Sequence, residues 1–170
     1  MPDNFTDEKL LEIEGTDLSG PDLDRLCANA SGPDLARLCD NASGPALARL
    51  FANASGQALA RLKKIMGINL QTPIVKNLYS AILETLSEGT NTLEMSIPHT
   101  CKTTHSIAGW TVHLAGQAGY DLENKAGWQT AATLIHKASC PGTPWPYYYA
   151  KNDAAMAYIR ARAKEEAPHV

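Results

Sequence analysis

The sequence has few aromatic residues, no long apolar run and no excess of positive charge, and each of these absences excludes a class of protein. Only 6% of the residues are aromatic, and much of the apolar content is Ala and Leu, which favours helices over strands. No apolar segment approaches the roughly 20 residues that a membrane-spanning helix requires, so we expect no membrane partner. The net charge of −3 argues against nucleic acid as a partner.

Signal-like and catalytic motifs are missing as well. Residues 1–8 lack the basic region and the apolar run of a secretory signal, so we expect a cytoplasmic protein whose four cysteines are reduced thiols. Glycine-rich phosphate loops, paired catalytic carboxylates and Cys-x-x-Cys pairs do not occur in the sequence. No complete catalytic set is therefore visible, and no cofactor is expected from a motif.

The strongest pattern present is a tandem repeat of twelve residues in the first third of the chain. Its units read SGPDLDRLCANA (19–30), SGPDLARLCDNA (31–42), SGPALARLFANA (43–54) and SGQALARLKK (from residue 55). The first two units match at ten of twelve positions, which chance does not produce, and this self-similarity is typical of repeat architectures.

Each repeat unit predicts one short helix. The recurring Gly-Pro excludes a single continuous helix, because an interior proline costs roughly 3 kcal/mol. Ser supplies an N-cap and Pro fits the first turn, while Asn or Gly can take the left-handed conformation that ends a helix. The leucines spaced i, i+3 form one apolar stripe, which such short helices must bury against their neighbours. We therefore predict a short helical solenoid.

The repeat also places one arginine at the same position of every unit. These residues are Arg25, Arg37, Arg49 and Arg61. The row is either a solvated surface, partly neutralised by nearby aspartates, or a surface that binds an acidic partner or phosphate groups.

The remainder of the chain predicts a compact helical domain. We expect helices from Thr72-Pro73 to before Gly89, from Thr103 or Thr104 to about Gly119, from about Ala126 to Ser139, and from Asn152 or Asp153 onward. Residues 93–97 alternate between apolar and polar types, which predicts one short extended segment. Two glycines inside the second predicted helix, Gly109 and Gly116, indicate close approach by another backbone.

The densest group of potentially reactive side chains falls between residues 99 and 113. Cys101, His105 and His113 could bind zinc together with His136 or Cys140 from the next predicted helix, although their spacing matches no established zinc pattern. His105 and His113 are eight residues apart, which places them on roughly one face of a helix. Cys101 at a helix N-terminus could alternatively act as a nucleophile, with His105 as its base. Most of these residues could equally have capping and packing roles.

An aromatic stretch near the end of the chain is a candidate contact surface. It contains Trp145, Tyr147, Tyr148 and Tyr149, and Tyr and Trp provide large, rigid areas at protein interfaces. The alternative is a loop that packs on the helical core.

One segment resembles a known group of proteins. Residues 93–110, LEMSIPHTCKTTHSIAGW, followed by VHLAGQAGYDLE, resemble small bacterial and phage proteins that carry a Cys-Gly-Thr-x-x-Cys-x-Ala-Gly-Trp type motif. Lys102 stands where that motif has Gly, and Ser106 stands where it has the second Cys. The resemblance implies a bacterial or phage origin, and the missing cysteine excludes any chemistry that needs the cysteine pair.

Together these patterns predict an all-α protein with a lead-in over residues 1–18, the repeat array over 19–64 and a compact helical domain over 65–170 that the array packs on. The function that we expect is a non-enzymatic scaffold, which uses the repeat surface to bind another protein or a second copy of itself. The alternative is a metal- or thiol-dependent enzyme centred on Cys101, His105 and His113, with zinc as its cofactor.

Overall fold

The computed structural model describes residues 30–144, 146 and 148–166, and for residues 99–101 it describes the backbone alone. Within these residues the protein is mostly helical, with eight helices and three very short strands, as the composition predicts. The chain divides into two compact units between Leu70 and Gln71. The boundary predicted from the sequence lies after residue 64, where the repeat pattern ends.

The described part of the first unit contains three helices of ten residues, each formed by one repeat. They are α1 (Gly32–Asn41), α2 (Gly44–Asn53) and α3 (Gly56–Ile65). The side chain of Ser31 caps α1 by accepting from the Asp34 N–H, and Ser43 caps α2 by accepting from the Ala46 N–H. The repeat at 19–30, with Arg25 and Cys27, lies outside the described residues.

The helices of the first unit end differently from the prediction. Neither Asn nor Gly adopts a left-handed conformation at the ends of α1 and α2. Each helix instead continues through its Asn and stops at an extended alanine, Ala42 (φ −66°, ψ 135°) or Ala54 (φ −68°, ψ 140°). Only an alanine and a serine join one helix to the next, and both residues are extended.

The leucine stripes of the repeats face the interior of the first unit. Leu35 and Leu38 in α1, Leu47 and Leu50 in α2, and Leu62 in α3 are buried, and so are Cys39 and Phe51 at the adjoining position. Helix α1 packs on α3, two repeats further along the chain. The predicted apolar face is therefore the buried face of these helices.

The second unit contains five helices among its described residues. They are α4 (Leu78–Ser87), α5 (Ile107–Leu114), α6 (Gly116–Ala126), α7 (Trp128–Ser139) and α8 (Asn152–Glu166). Helix α8 packs along α4, while α5, α6 and α7 pack against one another. Fully buried side chains such as Trp110, Leu122, Ile135 and Ile159 form the core.

A small sheet lies between α4 and α5 in the sequence. Its strands are β1 (Thr92–Leu93), β2 (His99–Cys101) and β3 (Thr104–His105), arranged in the order β1-β3-β2. Strand β3 runs parallel to β1 and antiparallel to β2. The prediction of one helix from Thr103 or Thr104 to Gly119 is therefore wrong at both ends.

Local backbone chemistry explains that error. Ser106 has an extended backbone conformation after β3. Its side chain caps α5 by accepting from the Gly109 N–H. Gly116 has a positive φ of 64°, which L-residues other than glycine rarely adopt, and it separates α5 from α6. The apolar positions at helical spacing continue across both breaks, so the pattern alone suggested one helix.

Helix α4 begins later than predicted. Residues 71–77 are not helical, and the residue before Pro73 is sterically disfavoured from helical geometry. Asn77, with φ 50°, precedes the first turn and makes no side-chain capping hydrogen bond. The carboxylate of Glu166 takes that role, because its two oxygens accept from the Tyr79 and Ser80 N–H groups at 3.1 and 2.8 Å.

None of the helices that the structure describes is long and apolar enough to cross a membrane.

Candidate functional site at His105 and His113

The turn from β3 into α5 positions His105 at the start of the candidate site. Ser106 donates its backbone N–H to the Pro98 carbonyl at 3.0 Å, which fixes the hairpin against the first turn of α5. A Cβ atom added at Gly109 would collide with the same carbonyl oxygen and would lie 2.9 Å from the His105 Cβ. The predicted close approach by another backbone is therefore present at Gly109. At Gly116 it is not, because no atom lies within 4 Å of such a Cβ.

His105 and His113 lie next to each other although they belong to different elements. Their ring centroids are 4.9 Å apart, and the two ring planes are tilted by 31°. His105 is only 1% exposed, whereas His113 is half-buried. Both rings meet the edge or face of Trp110, at centroid distances of 4.4 and 5.4 Å. The two imidazoles thus share a largely apolar environment.

His113 has a defined polar partner on the following helix. Its Nδ1 atom lies 2.6 Å from the hydroxyl oxygen of Tyr120. The pKa of Tyr120 is raised, mainly by burial and also by the nearby Glu123, so the phenol stays protonated at neutral pH. Tyr120 was not among the residues singled out from the sequence. Its spacing of seven residues from His113 was the available signal, since positions i and i+7 lie on one helical face.

Cys101 lies in β2 rather than at a helix N-terminus. The backbone register pairs His99 with His105, and Cys101 with Thr104. Ser106, not Cys101, occupies the N-cap of the helix that follows. A nucleophile and base formed by Cys101 and His105 stays a prediction, because the Cys101 side chain lies outside the described part of the structure.

The described side chains do not form a complete set of metal ligands. Among them, no three His, Cys, Asp or Glu residues are grouped closely enough to hold a metal ion. His105 and His113 are a pair, and further donors would have to come from residues such as His99 and Cys101, whose side chains are not described.

A second buried cluster surrounds His136 and Cys140, which the sequence suggested as further metal ligands. The ring of His136 contacts Tyr79 edge-to-face at a centroid distance of 5.7 Å, and burial lowers its pKa to about 4. Burial, together with the neighbouring Glu166, raises the pKa of the Cys140 thiol to about 11. At neutral pH His136 is therefore neutral and Cys140 is a protonated thiol, which is a poor nucleophile.

The arginines of the repeat differ in their surroundings. Arg37 and Arg49 are exposed, and Arg37 lies 3.8 Å from an Asp34 carboxylate oxygen. Arg61 is half-buried and donates to the Ala30 carbonyl at 2.9 Å, a bond that spans 31 residues. Arg61 thus has a role inside the first unit, and among the described arginines of the row Arg37 and Arg49 are the exposed ones.

The aromatic stretch is only partly described, because Trp145 and Tyr147 lie outside the described residues. Tyr148 is 4% exposed and packs near Trp128. Tyr149 is 53% exposed, and its hydroxyl accepts from the Gln129 side chain at 2.6 Å. Of the two described tyrosines, Tyr149 is therefore the one available at the surface.

Comparison with known proteins adds no functional information. No protein-family model, no curated protein and no solved structure matches this chain. The resemblance of residues 93–123 to small bacterial and phage proteins therefore stays a prediction.

Proposed function

We propose that the protein is a non-enzymatic scaffold of bacterial or phage origin, which binds an acidic protein partner through the exposed face of its repeats. The repeats would stack as a short solenoid, and the partner would contact its arginine-bearing surface. Two features support this stacking: α1 packs on α3, and Arg61 is hydrogen-bonded to the chain that precedes α1. The protein would act in the cytoplasm.

The observation that carries the proposal is that the repeat helices bury an apolar side, while the positive charges of residues 30–70 outnumber the negative ones. Residues 30–70 contain five Lys and Arg against two Asp and no Glu. Arg37, Arg49 and Lys64 are exposed. Planar guanidinium groups bind carboxylates in a bidentate manner, and such charged surfaces accelerate and orient association with acidic partners.

A second copy of the chain is one partner with suitable charge. Residues 1–29 contain eight Asp and Glu against one Lys and one Arg. Sedimentation velocity over a range of protein and salt concentrations distinguishes self-association from binding to a different protein. Salt-sensitive oligomers would identify the partner as another copy.

Charge reversal tests the surface itself. The R37E/R49E variant should lower the affinity for the purified partner at least tenfold, as measured by titration calorimetry after the partner has been identified by cross-linking. The matched control is R160E/K164E, which reverses two exposed charges on α8 in the second unit. Equal loss of affinity in both variants, or in neither, would show that the repeat arginines are not the contact surface.

Deletion of residues 31–54 provides an independent test, because it removes two complete repeats. Partner binding should be lost, while the second unit keeps its tryptophan fluorescence. Partner binding that persists in the deletion variant would contradict the scaffold proposal.

A metal- or thiol-dependent enzyme is the second candidate. The proximity of His105 and His113 is the observation that favours it. Metal analysis of protein purified without chelator, combined with an activity screen, separates the two candidates.

A further inference from the structure

We propose that the peptide bond between Leu70 and Gln71 is a site of limited proteolysis by an endopeptidase with an apolar specificity pocket. Hydrolysis adds one water across this amide and leaves a carboxylate on Leu70 and an amine on Gln71. Each product contains one of the two compact units. The proposal does not rest on the scaffold function, although cleavage would detach the repeats from the second unit.

The segment that joins the two units along the chain has no regular secondary structure. Helix α3 ends at Ile65, and α4 begins at Leu78. Residues 68–75 between them are neither helical nor part of a strand. Exposed connections of this kind are preferred sites of proteolytic nicking, since a protease binds its substrate as an extended chain and a helix must first unwind. The connecting segment requires no such unwinding.

Two large apolar side chains of this segment are exposed. Leu70 is 43% exposed and Ile74 is 70% exposed. In the part of the chain that the structure describes, Tyr149 is the other large hydrophobic residue with an exposed side chain. A protease with an apolar specificity pocket selects the residue before the cleaved bond by burying its side chain. Leu70 is of the type that such a pocket accepts, and its side chain is accessible.

The backbone at the proposed bond lacks the hydrogen bonds that hold the two ends of the segment. Ile68 donates its N–H to the Lys63 carbonyl at 2.7 Å, and Val75 donates its N–H to the Ser139 hydroxyl oxygen at 2.9 Å. Between these two anchors, the backbones of Leu70, Gln71 and Ile74 form no hydrogen bond to any residue that the structure describes. A protease can therefore pair with these three residues without breaking a hydrogen bond of either unit.

Cleavage at this bond leaves the core of each unit uncut. The buried residues nearest to the bond are Ile68 on one side and Leu78 on the other, and every residue between them is exposed or half-buried. Hydrolysis therefore breaks the covalent connection between the units and divides neither core. We expect two stable fragments rather than progressive degradation.

Limited digestion of the folded full-length chain tests the site. Chymotrypsin is the probe, because its specificity pocket is apolar. A fragment of residues 71–170, identified by its intact mass, should appear before any product that is cut elsewhere within residues 30–166. Cuts within residues 1–29 do not affect this measurement. A first cut after Tyr149, or at any other position within residues 30–166, would overturn the proposal.

The dependence on urea shows whether the native chain is the substrate. Proteolysis through global unfolding follows the population of unfolded chain, which rises steeply with urea concentration. Cleavage after Leu70 should keep its rate at urea concentrations below the unfolding transition, once the rate is corrected for chymotrypsin activity on a short peptide. A rate that rises in parallel with the unfolding equilibrium constant would contradict the proposal.

Two variants assign the cleaved position. L70K should slow formation of the 71–170 fragment at least tenfold, because a charged side chain does not fit an apolar pocket. Y149K is the matched control, since it changes an exposed aromatic side chain of the second unit, and it should be cleaved after Leu70 at the wild-type rate. Circular dichroism checks that both variants are folded. Equal rates in wild type and L70K, or equal slowing in both variants, would overturn the assignment.

Bacterial extract tests the same bond with cellular endopeptidases. The extract is depleted of ATP, so that proteases which unfold their substrates are inactive. The wild-type chain should yield the 71–170 fragment, while L70K should remain intact at the same time points. A wild-type chain that stays intact in the extract, or an L70K chain that is cleaved equally fast, would contradict a role of this bond as a processing site.

Discussion

His136 is buried in the second unit, and the only effect that shifts its pKa is the loss of hydration, which lowers the value to about 4. In the unfolded chain a histidine binds its proton near pH 6.5. Between these two values the unfolded state binds more protons than the folded state. The second unit therefore loses stability as the pH falls from about 6.5 towards 4, by at most about 3 kcal/mol from this residue.

Urea unfolding followed by tryptophan fluorescence measures this effect in the second unit, because Trp110, Trp128 and Trp145 all belong to it. H136L should reduce the loss of stability between pH 7 and pH 4.5 relative to wild type. An unchanged pH dependence in H136L would mean that protonation of another group causes the loss.

Glu166 stabilises a helix that begins 88 positions earlier in the chain. Its carboxylate accepts from two N–H groups in the first turn of α4, where the helix dipole also favours negative charge. E166Q removes the charge and one of the acceptors, so we expect a loss of about 1–3 kcal/mol in the free energy of unfolding.

The neighbouring residue provides the control for this substitution. Glu165 is exposed and forms an ion pair with Arg162 at 2.7 Å, and exposed ion pairs contribute about 0–1 kcal/mol. E165Q should therefore be close to neutral. Equal effects of E165Q and E166Q on the urea midpoint would show that the cap on α4 contributes little.

At the level of elements, the repeat helices could be predicted because their signals are local. Ser and Gly occur at each start, Pro follows them in α1 and α2, and the leucines lie in the next two turns. The start of α4 could not be predicted, since its capping group comes from Glu166. The strand at Thr104–His105 was missed because two residues carry no periodicity, and the helical pattern of α5 extends across it.

The N-caps of the repeats offer a comparison between near-identical helices. Ser31 accepts from the Asp34 N–H at 3.2 Å and donates to the Asp34 carboxylate at 2.6 Å, whereas Ser55 makes no side-chain capping hydrogen bond. S31A should cost about 1 kcal/mol, and S55A should cost much less. Thermal unfolding followed by circular dichroism at 222 nm measures both, and equal losses in the two variants would contradict the assigned caps.

Across the whole molecule, the proximity of His105 and His113 was predicted from an incorrect secondary structure. Spacing by eight residues on one helix suggested a shared face, but the structure brings the rings together through a strand, a cap and the first turns of α5. The two rings still lie together in the observed secondary structure, because Gly109 allows the Pro98 carbonyl to approach α5. The burial of His105 could not be predicted, because the residues around it are mostly polar and show no apolar pattern that indicates burial.

The division between Leu70 and Gln71 predicts that the second unit folds without the repeats. Both halves of residues 71–170 contribute large, fully buried residues to the core. They include Leu78, Trp110 and Ile159. A chain of about 100 residues is long enough to bury a stable core. Residues 71–170 expressed alone should therefore show a cooperative urea transition and the blue-shifted emission of buried Trp110. Gradual unfolding, or emission typical of solvent-exposed tryptophan, would mean that the repeats complete the core.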